Sequence, residues 1–225
     1  MRTQHLNILM IDDHALILKS FEEGIRSLEN QTNAYRFQIE RAHSILEAVD
    51  ALDNIFENRQ LHLVLLDIGL PRYNKYLSGF DLGVAIRKQH PDCKIIVITG
   101  YTNYPLIQKL LDSIKPEGLL LKNELNPDGL KAAIIDVLQQ TPHYSKTVRK
   151  YLTHIQTMLK VLDHYDVLLL YYISEGKQTK ELPAFLPISI ASIERRKRKL
   201  KEILHLEPES SDVQLLNRAK EEGFL

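Results

Sequence analysis

Short apolar runs alternate with helix-periodic segments over the first 140 positions of the chain. Runs of this length that are nearly continuous in Leu, Ile and Val are typical of strands buried on both faces. The run at 36–42 alternates more in polarity, which favours a place near an edge. The alternation predicts an α/β domain with a doubly wound, five-stranded parallel sheet. The predicted strands are 6–11, 36–42, 61–66, 94–99 and 118–121, and the predicted helices are about 15–28, 45–56, 80–89, 104–113 and 128–139.

The pattern changes near Pro142, beyond which every periodic segment is helical. The first such segment carries an apolar stripe at spacings of four and three, which predicts one amphipathic helix. This stripe either packs against its own domain, which we favour, or pairs with a partner or relays between domains. The stripe consists of Val148, Leu152, Ile155, Leu159 and Leu162. Further helices are predicted at about 166–174, 179–185, 189–204 and 211–222, with Gly223 ending the last.

The net charge of zero conceals a division between the two parts of the chain. Residues 1–140 carry 15 Lys and Arg against 18 Asp and Glu, whereas residues 141–225 carry 14 against 11. Five consecutive cations stand at 195–199 in the second part. An acidic part joined to a basic part suggests one module for a metal or phosphoryl group and another for a polyanion.

Composition restricts the class of protein. The hydrophobic fraction of 44% is enough for ordinary cores, and 225 residues suit one large domain or two small ones. The single cysteine, Cys93, excludes an intramolecular disulfide framework and fits a reducing compartment. Neither a signal-peptide core nor an apolar stretch long enough for a bilayer is found, so we expect a soluble cytoplasmic protein without membrane contact.

Polar residues end or directly follow four of the predicted strands, where the carboxyl ends of a parallel sheet form a ligand-binding edge. They are Asp12, Asp13, Asp67, Thr99 and Lys122. An aspartate carboxylate can attack phosphorus and form an acyl phosphate. This requires charge neutralisation, which Mg²⁺ held by carboxylates provides. A lysine ammonium and a threonine hydroxyl can then bind phosphoryl oxygens. Each residue alone could be a helix or strand cap, but capping does not require all five in this order.

This set resembles the receiver domain of two-component response regulators over about residues 5–140. The matching positions are Asp12-Asp13, Asp67 with Pro71 four residues later, Thr99-Gly100 and Lys122. The resemblance implies that Asp67 accepts a phosphoryl group from a sensor histidine kinase. Asp12 and Asp13 would hold Mg²⁺ together with Asp67, and Thr99 and Lys122 would bind the phosphoryl oxygens.

Two positions depart from the receiver pattern. Leu119 occupies the place of an aromatic residue that switches position in many receivers, so altered or weak coupling to the output is an expectation that the sequence leaves open. The glycine expected four residues after Pro71 comes eight residues after it, as Gly79, behind a lengthened loop. The nine histidines show no metal-ligand spacing and are expected to be structural.

The second part resembles a LuxR-type (NarL-like) helix-turn-helix output domain over roughly residues 160–225. Segment 176–200 reads as a helix, a tight turn and a longer basic helix, a pair that suits the major groove of double-stranded DNA. The inward face of the longer helix is expected to carry Ile190, Ile193, Leu200, Ile203 and Leu204. By the resemblance, Ser192, Glu194, Arg195 and Arg198 would face the groove, and Lys180 and Lys199 would contact phosphates. The last helix, with Val213 and Leu216, would pair two protomers.

The expected organisation is therefore a receiver at 1–140, a helical linker at 141–160 and a DNA-binding domain at 161–225. The expected function is a transcription regulator that is controlled by phosphorylation, homodimerises when phosphorylated and is not an enzyme.

Two alternatives stay open at this point. Pro183, Pro187 and Glu194 depart from the usual helix-turn-helix pattern, and a charge run is often only a solvated face. The output could therefore bind protein or RNA instead of DNA. An aspartyl-phosphate phosphatase is the enzyme alternative, which Gly69 disfavours because such enzymes carry a second aspartate at that position.

Overall fold

The computed structural model describes residues 3–32, 34–102, 104–158, 162–222 and 224–225. The chain divides into two compact units, residues 1–149 and 150–225. Across the described ranges, no helix has the length and apolar character that a membrane span requires.

The first unit is an α/β fold built on one parallel sheet, with strand order β2-β1-β3-β4-β5-β6. The doubly wound fold class is confirmed, and the alternating run at 36–42 forms the edge strand β2. The strands are β1 (Gln4–Ile11), β2 (Tyr35–Ala42), β3 (Leu63–Asp67), β4 (Lys94–Thr99), β5 (Gly118–Leu121) and β6 (His143–Tyr144). The helices are α1 (Ala15–Thr32), α2 (Ile45–Asn54), α3 (Gly79–Gln89), α4 (Tyr104–Ser113) and α5 (Pro127–Leu138). A sixth helix, α6 (Lys146–Met158), begins in the first unit and continues past Arg149 into the second.

The predicted number of five strands was wrong, because the two-residue strand β6 extends the sheet. His143 N donates to the Glu117 carbonyl at 2.9 Å, and Ser145 N donates to the Leu119 carbonyl at 3.0 Å. Tyr144 lies in register with Leu119. Only backbone pairing with β5 creates this strand, since its two residues carry no apolar run that the sequence could reveal.

The core lies between the sheet and its helices. Successive strand residues point to opposite faces, so Leu63 and Leu65 share one face of β3 while Val64 and Leu66 share the other. Helices α1 and α5 cover the first face, contributing buried residues such as Ile25 and Ile134. All five residues of β3 are buried. This two-sided burial explains why the central strands are continuously apolar.

The lengthened loop after Pro71 is closed into a tight turn. The backbones of Tyr73 and Tyr76 exchange two hydrogen bonds of 2.9 Å, and Asn74 between them has a φ of 51°. Asparagine tolerates this left-handed conformation better than most residues. Ser78 then caps α3, and its side chain accepts from Phe80 N. The extra residues therefore form a small hairpin turn, and α3 still begins directly beside Asp67.

The second unit is all helical, as the pattern predicts. It contains α7 (His164–Ser174), α8 (Ile190–Ile203) and α9 (Asp212–Glu221). The helix predicted at 179–185 is reduced to a 3-10 turn at Leu182–Ala184. Pro183 lies in this turn and has no N–H group to donate to a helical hydrogen bond.

Two other helix predictions differ in detail. Ile190 was predicted to pack inward but is 49% exposed. It is the first residue of α8, and the end of a helix is less covered by its neighbours than the middle. Of the apolar stripe, Val148 and Leu162 are buried, whereas Leu159 and the side chain of Ile155 lie outside the described residues. Gly223, expected to end α9, also lies outside them.

Replacement of Gly79 by alanine should destabilise the first unit. A Cβ at Gly79 would lie 2.1 Å from the carbonyl oxygen of Asp67 and 2.9 Å from Cα of Ile68, so backbone must move. We expect a loss of about 1–3 kcal/mol in the free energy of unfolding, measured by urea denaturation. Gly100→Ala is the matched control, since nothing lies within 4 Å of its Cβ position. Equal stability of the two variants would contradict the close packing at Gly79.

Candidate functional site

Four adjacent strands bring the predicted polar residues to one edge of the sheet. Asp12 and Asp13 follow β1, Asp67 ends β3, Thr99 ends β4 and Lys122 follows β5. These strands are neighbours in the order β1-β3-β4-β5 and are paired in parallel register up to this edge. Residues separated by up to 110 positions in sequence therefore meet as the parallel-sheet argument predicts.

Asp12, Asp13 and Asp67 form an acidic pocket, and Lys122 lies between two of these carboxylates. Its Nζ lies 2.7 Å from Oδ2 of Asp12 and 2.8 Å from Oδ2 of Asp67. The two aspartates are only 1% and 4% exposed. Burial lowers the pKa of Lys122, but the hydrogen bonds and charges of both carboxylates outweigh it and raise the pKa above its ordinary value. The ammonium therefore stays charged and offsets part of the carboxylate repulsion.

The remaining oxygen of Asp67 is also held in place. Its Oδ1 accepts from Gly69 N at 2.9 Å. Thr99 is fully buried, and its Oγ1 accepts from Tyr101 N at 3.1 Å. The neighbouring Gly100 has nothing within 4 Å of its Cβ position. The site therefore combines a fixed carboxylate, a hydroxyl, an ammonium and open space.

His14 joins this pocket, although histidine spacing gave no reason to expect it there. Its Nδ1 lies 3.0 Å from Oδ1 of Asp12 and 2.8 Å from Oδ1 of Asp13. The hydrogen bond with Asp12 and the charge of Asp13 raise the pKa of His14. The signal available in the sequence was its position directly after the acidic pair.

The acidic pocket has the donor set of a divalent cation site. Asp12, Asp13, His14 and Asp67 each offer a ligand atom, and these four atoms lie within 4.8 Å of one another. Carboxylate oxygens are the ligands that hard cations such as Mg²⁺ take, usually one or two together with waters. The residues present therefore fit such an ion.

The second candidate site is the basic run on α8, which the structure divides into internal and exposed charges. Arg196 pairs with Asp163 and Asp166 at 2.6 Å, and Lys199 pairs with Asp166 at 2.5 Å. Lys197 is buried and pairs with Asp212 at 2.6 Å. Three of the five cations thus hold the helices of the second unit together, which charge counting did not reveal.

The other predicted nucleic-acid contacts are more exposed than Arg196 and Lys197 or have no ion-pair partner among the described residues. Arg195 and Arg198 are exposed and have no ion-pair partner among the described residues. Lys180 and Glu194 are exposed as well. Ser192 is half-buried, and its backbone N donates to the capping oxygen of Ser189 at 3.2 Å. The exposed cations on α8 are therefore Arg195, Arg198 and the partly neutralised Lys199.

Comparison with known proteins identifies the family of the first unit. The sequence profile of the response regulator receiver domain matches residues 8–135, more than half of the chain. The chain belongs to the response regulator family. The match covers the acidic pocket and every strand of the first unit except β6 and the beginning of β1.

The relatives of this response regulator are regulatory proteins by name. It is 30% identical over 220 residues to the transcriptional regulatory protein RcsB of Salmonella typhi, covering 95% of this chain and 93% of that protein. It is 22% identical to the oxygen regulatory protein NreC of Staphylococcus epidermidis, covering 96% and 98%. Both alignments extend through the second unit.

A solved structure of RcsB from Salmonella enterica serovar Typhimurium, bound to a promoter in the presence of the phosphomimetic BeF₃⁻, is also similar. It is 25% identical to this response regulator with a TM-score of 0.56, and the alignment covers 96% of this chain and 98% of that one. The similarity therefore extends over both units.

Asp166→Asn should weaken the second unit. Asp166 is fully buried and receives both Arg196 and Lys199, so the neutral amide leaves Lys199 without its partner and Arg196 with Asp163 alone. We expect a loss of about 2–3 kcal/mol, below the value for a fully buried pair because Lys199 is 44% exposed. Faster amide hydrogen exchange of α7 and α8, measured in the entire 225-residue chain, would show this loss of stability. Glu194→Gln on the exposed face of α8 is the control, and equal exchange in both variants would contradict the role of Asp166.

Proposed function

We propose that this response regulator is phosphorylated on Asp67 by a sensor histidine kinase and acts as a DNA-binding transcription regulator. The observation that carries the proposal is the bridge from Lys122 to the buried carboxylates of Asp12 and Asp67. An ammonium held between two carboxylates, beside a hydroxyl and open space, suits a phosphoryl group bound to one of them.

The proposed chemistry begins with attack of an Asp67 carboxylate oxygen on phosphorus. A new O–P bond forms, and the bond to the donor breaks with its electron pair remaining on the donor. Lys122 binds phosphoryl oxygens as an ammonium, and Thr99 offers its hydroxyl as a donor. Gly100 leaves the space for these oxygens because it has no side chain.

We infer that Asp12, Asp13 and Asp67 hold Mg²⁺, in line with the donor set of the pocket. The ion would supply the positive charge that lets a carboxylate and a phosphoryl group approach each other. Lys122 already occupies the Oδ2 side of Asp12 and Asp67, which leaves Oδ1 of both residues and the Asp13 carboxylate for the cation.

We propose the domain limits expected from the sequence: a receiver at 1–140, a linker at 141–160 and an output domain at 161–225. One contact suggests how the receiver acts on the linker. Glu124 lies two residues after Lys122, and its carboxylate accepts from Thr147 N at 3.1 Å and from the Thr147 hydroxyl. This carboxylate stabilises the positive end of α6 and lies in the same loop as the phosphoryl-binding lysine.

The proposed output is sequence-specific binding of double-stranded DNA. Arg195 and Arg198 are exposed cations of α8 that have no ion-pair partner in the described parts of the chain, and they would face the groove with Ser192 and Glu194. Lys180 and Lys199 would contact phosphates. The relative RcsB, whose solved structure is bound to a promoter, supports this assignment. Val213 is 65% exposed on α9, which suits pairing of two protomers and recognition of two half-sites.

Replacement of the phosphoacceptor tests the receiver half of the proposal. With a small acyl phosphate donor and Mg²⁺, the wild-type chain should gain one phosphoryl group, measured by intact mass, and Asp67→Asn should gain none. Asp92→Asn is the control, because Asp92 is exposed just before β4, at the opposite end of the sheet. Phosphoryl incorporation into the Asp67→Asn variant would contradict the assignment.

Replacement of exposed arginines tests the output half. The phosphorylated full-length chain should select a recurring motif from random duplex DNA. For Arg195→Ala and Arg198→Ala, each lost base contact should cost about 1–3 kcal/mol of binding free energy. Each lost phosphate contact should reduce the slope of log affinity against log salt by about 0.9. Lys88→Ala, which removes an exposed charge from the first unit, should change neither the binding free energy nor the salt slope.

Two results would overturn the DNA assignment. One is wild-type binding without sequence preference, which would favour a protein- or RNA-binding output. The other is unchanged affinity and unchanged salt slope in both arginine variants.

A further inference from the structure

His14 is held against the acidic pocket by its backbone. Its N–H donates to Oδ1 of Asp12 at 2.9 Å, and its carbonyl accepts from Ile17 N at 2.9 Å and Leu18 N at 3.2 Å. The residue therefore connects the acidic pair to the first turn of α1. Its side chain is 64% exposed and turns toward the two carboxylates.

The two oxygens of Asp12 face different groups. Oδ2 is paired with Lys122 at 2.7 Å, whereas Oδ1 is 3.0 Å from Nδ1 of His14. Oδ1 of Asp13 lies 2.8 Å from the same nitrogen. An imidazole nitrogen and two carboxylate oxygens thus converge on the side of Asp12 that Lys122 leaves open.

The size of this cluster suits one ion. Metal–ligand bonds of about 2.0–2.1 Å place opposite ligands of an ion about 4.2 Å apart. The four ligand atoms of Asp12, Asp13, His14 and Asp67 already lie within 4.8 Å of one another. Small side-chain shifts would bring all of them to a single cation.

We propose that His14 is a nitrogen ligand of this pocket and gives it a preference for borderline first-row transition cations, such as Co²⁺ and Ni²⁺, over Mg²⁺. Carboxylates and water suit Mg²⁺, whereas imidazole suits the borderline metals, whose affinities for such sites are also higher in general. Removing the imidazole should therefore weaken binding of Co²⁺ far more than binding of Mg²⁺. The inference rests on the same pocket as the proposed function but concerns the cation, not the phosphoryl group.

Equilibrium binding to the full-length protein tests the proposal. Co²⁺ is the probe, followed by its visible absorption and by calorimetry at pH 8, and Mg²⁺ binding is measured in parallel. His14→Ala should lower Co²⁺ affinity about tenfold or more and change Mg²⁺ affinity less than about threefold. His14→Gln should behave like His14→Ala, because the amide retains polarity and bulk without the imidazole nitrogen.

His43→Ala is the matched control. His43 is exposed directly after β2, at the same edge of the sheet, but outside the ligand cluster. This variant should retain both affinities. Asp13→Asn should lose affinity for both cations, because its carboxylate serves either one.

Two outcomes would overturn the proposal. In one, His14→Ala binds Co²⁺ as tightly as the wild type; in the other, it loses Co²⁺ and Mg²⁺ affinity to the same extent. The proposed function has a separate readout, since Mg²⁺-dependent phosphoryl incorporation at Asp67 is measured without Co²⁺ on the wild type and on Asp67→Asn. Its failure in the wild type would contradict the phosphoacceptor assignment without changing the Co²⁺ result.

Discussion

The first unit depends on one ammonium held between two buried carboxylates. Two aspartates at the end of adjacent strands would repel each other and lose solvation, and an unpaired buried charge is strongly unfavourable. Lys122 offsets this by contacting both Asp12 and Asp67. It also leaves the pocket with an excess of negative charge. The same interaction therefore lets the acidic edge fold while it keeps the carboxylate donor set of a divalent cation site.

The second unit carries an excess of positive charge on one helix and neutralises it by ion pairing as well. Its longest helix carries five consecutive cations, which would repel one another if all faced solvent on one helix. The buried carboxylate of Asp166 receives Arg196 and Lys199, and Asp212 receives Lys197. These pairs fix α8 against α7 and the start of α9. The charges left for a polyanion are fewer than the sequence suggests, and Arg195 and Arg198 are the ones without a partner among the described residues.

The segment between the pocket and α6 lies beside the position at which this chain departs from the receiver pattern. Leu119 is fully buried where many receivers carry an aromatic residue. Strand β6 adds a half-buried aromatic, Tyr144, in register beside it. The same segment continues into α6, whose first turn is bound by Glu124. Strand β5, the loop that carries Lys122 and the first turn of α6 are thus joined by hydrogen bonds within the first unit.

The sequence alone determined the α/β class, the order of the elements and the convergence of Asp12, Asp67, Thr99 and Lys122. These follow from local periodicity and from the rule that parallel strands share their carboxyl edge. Tertiary structure decided strand β6, the position of His14 in the pocket and the division of the basic run into internal and exposed charges. The backbone pairing of β6 and the ion pairs of α8 join residues distant in sequence, so neither leaves a periodic signal. His14 is adjacent to the acidic pair in sequence, but adjacency does not reveal which way its side chain turns. A run of like charges gives no indication of which buried carboxylates will neutralise it.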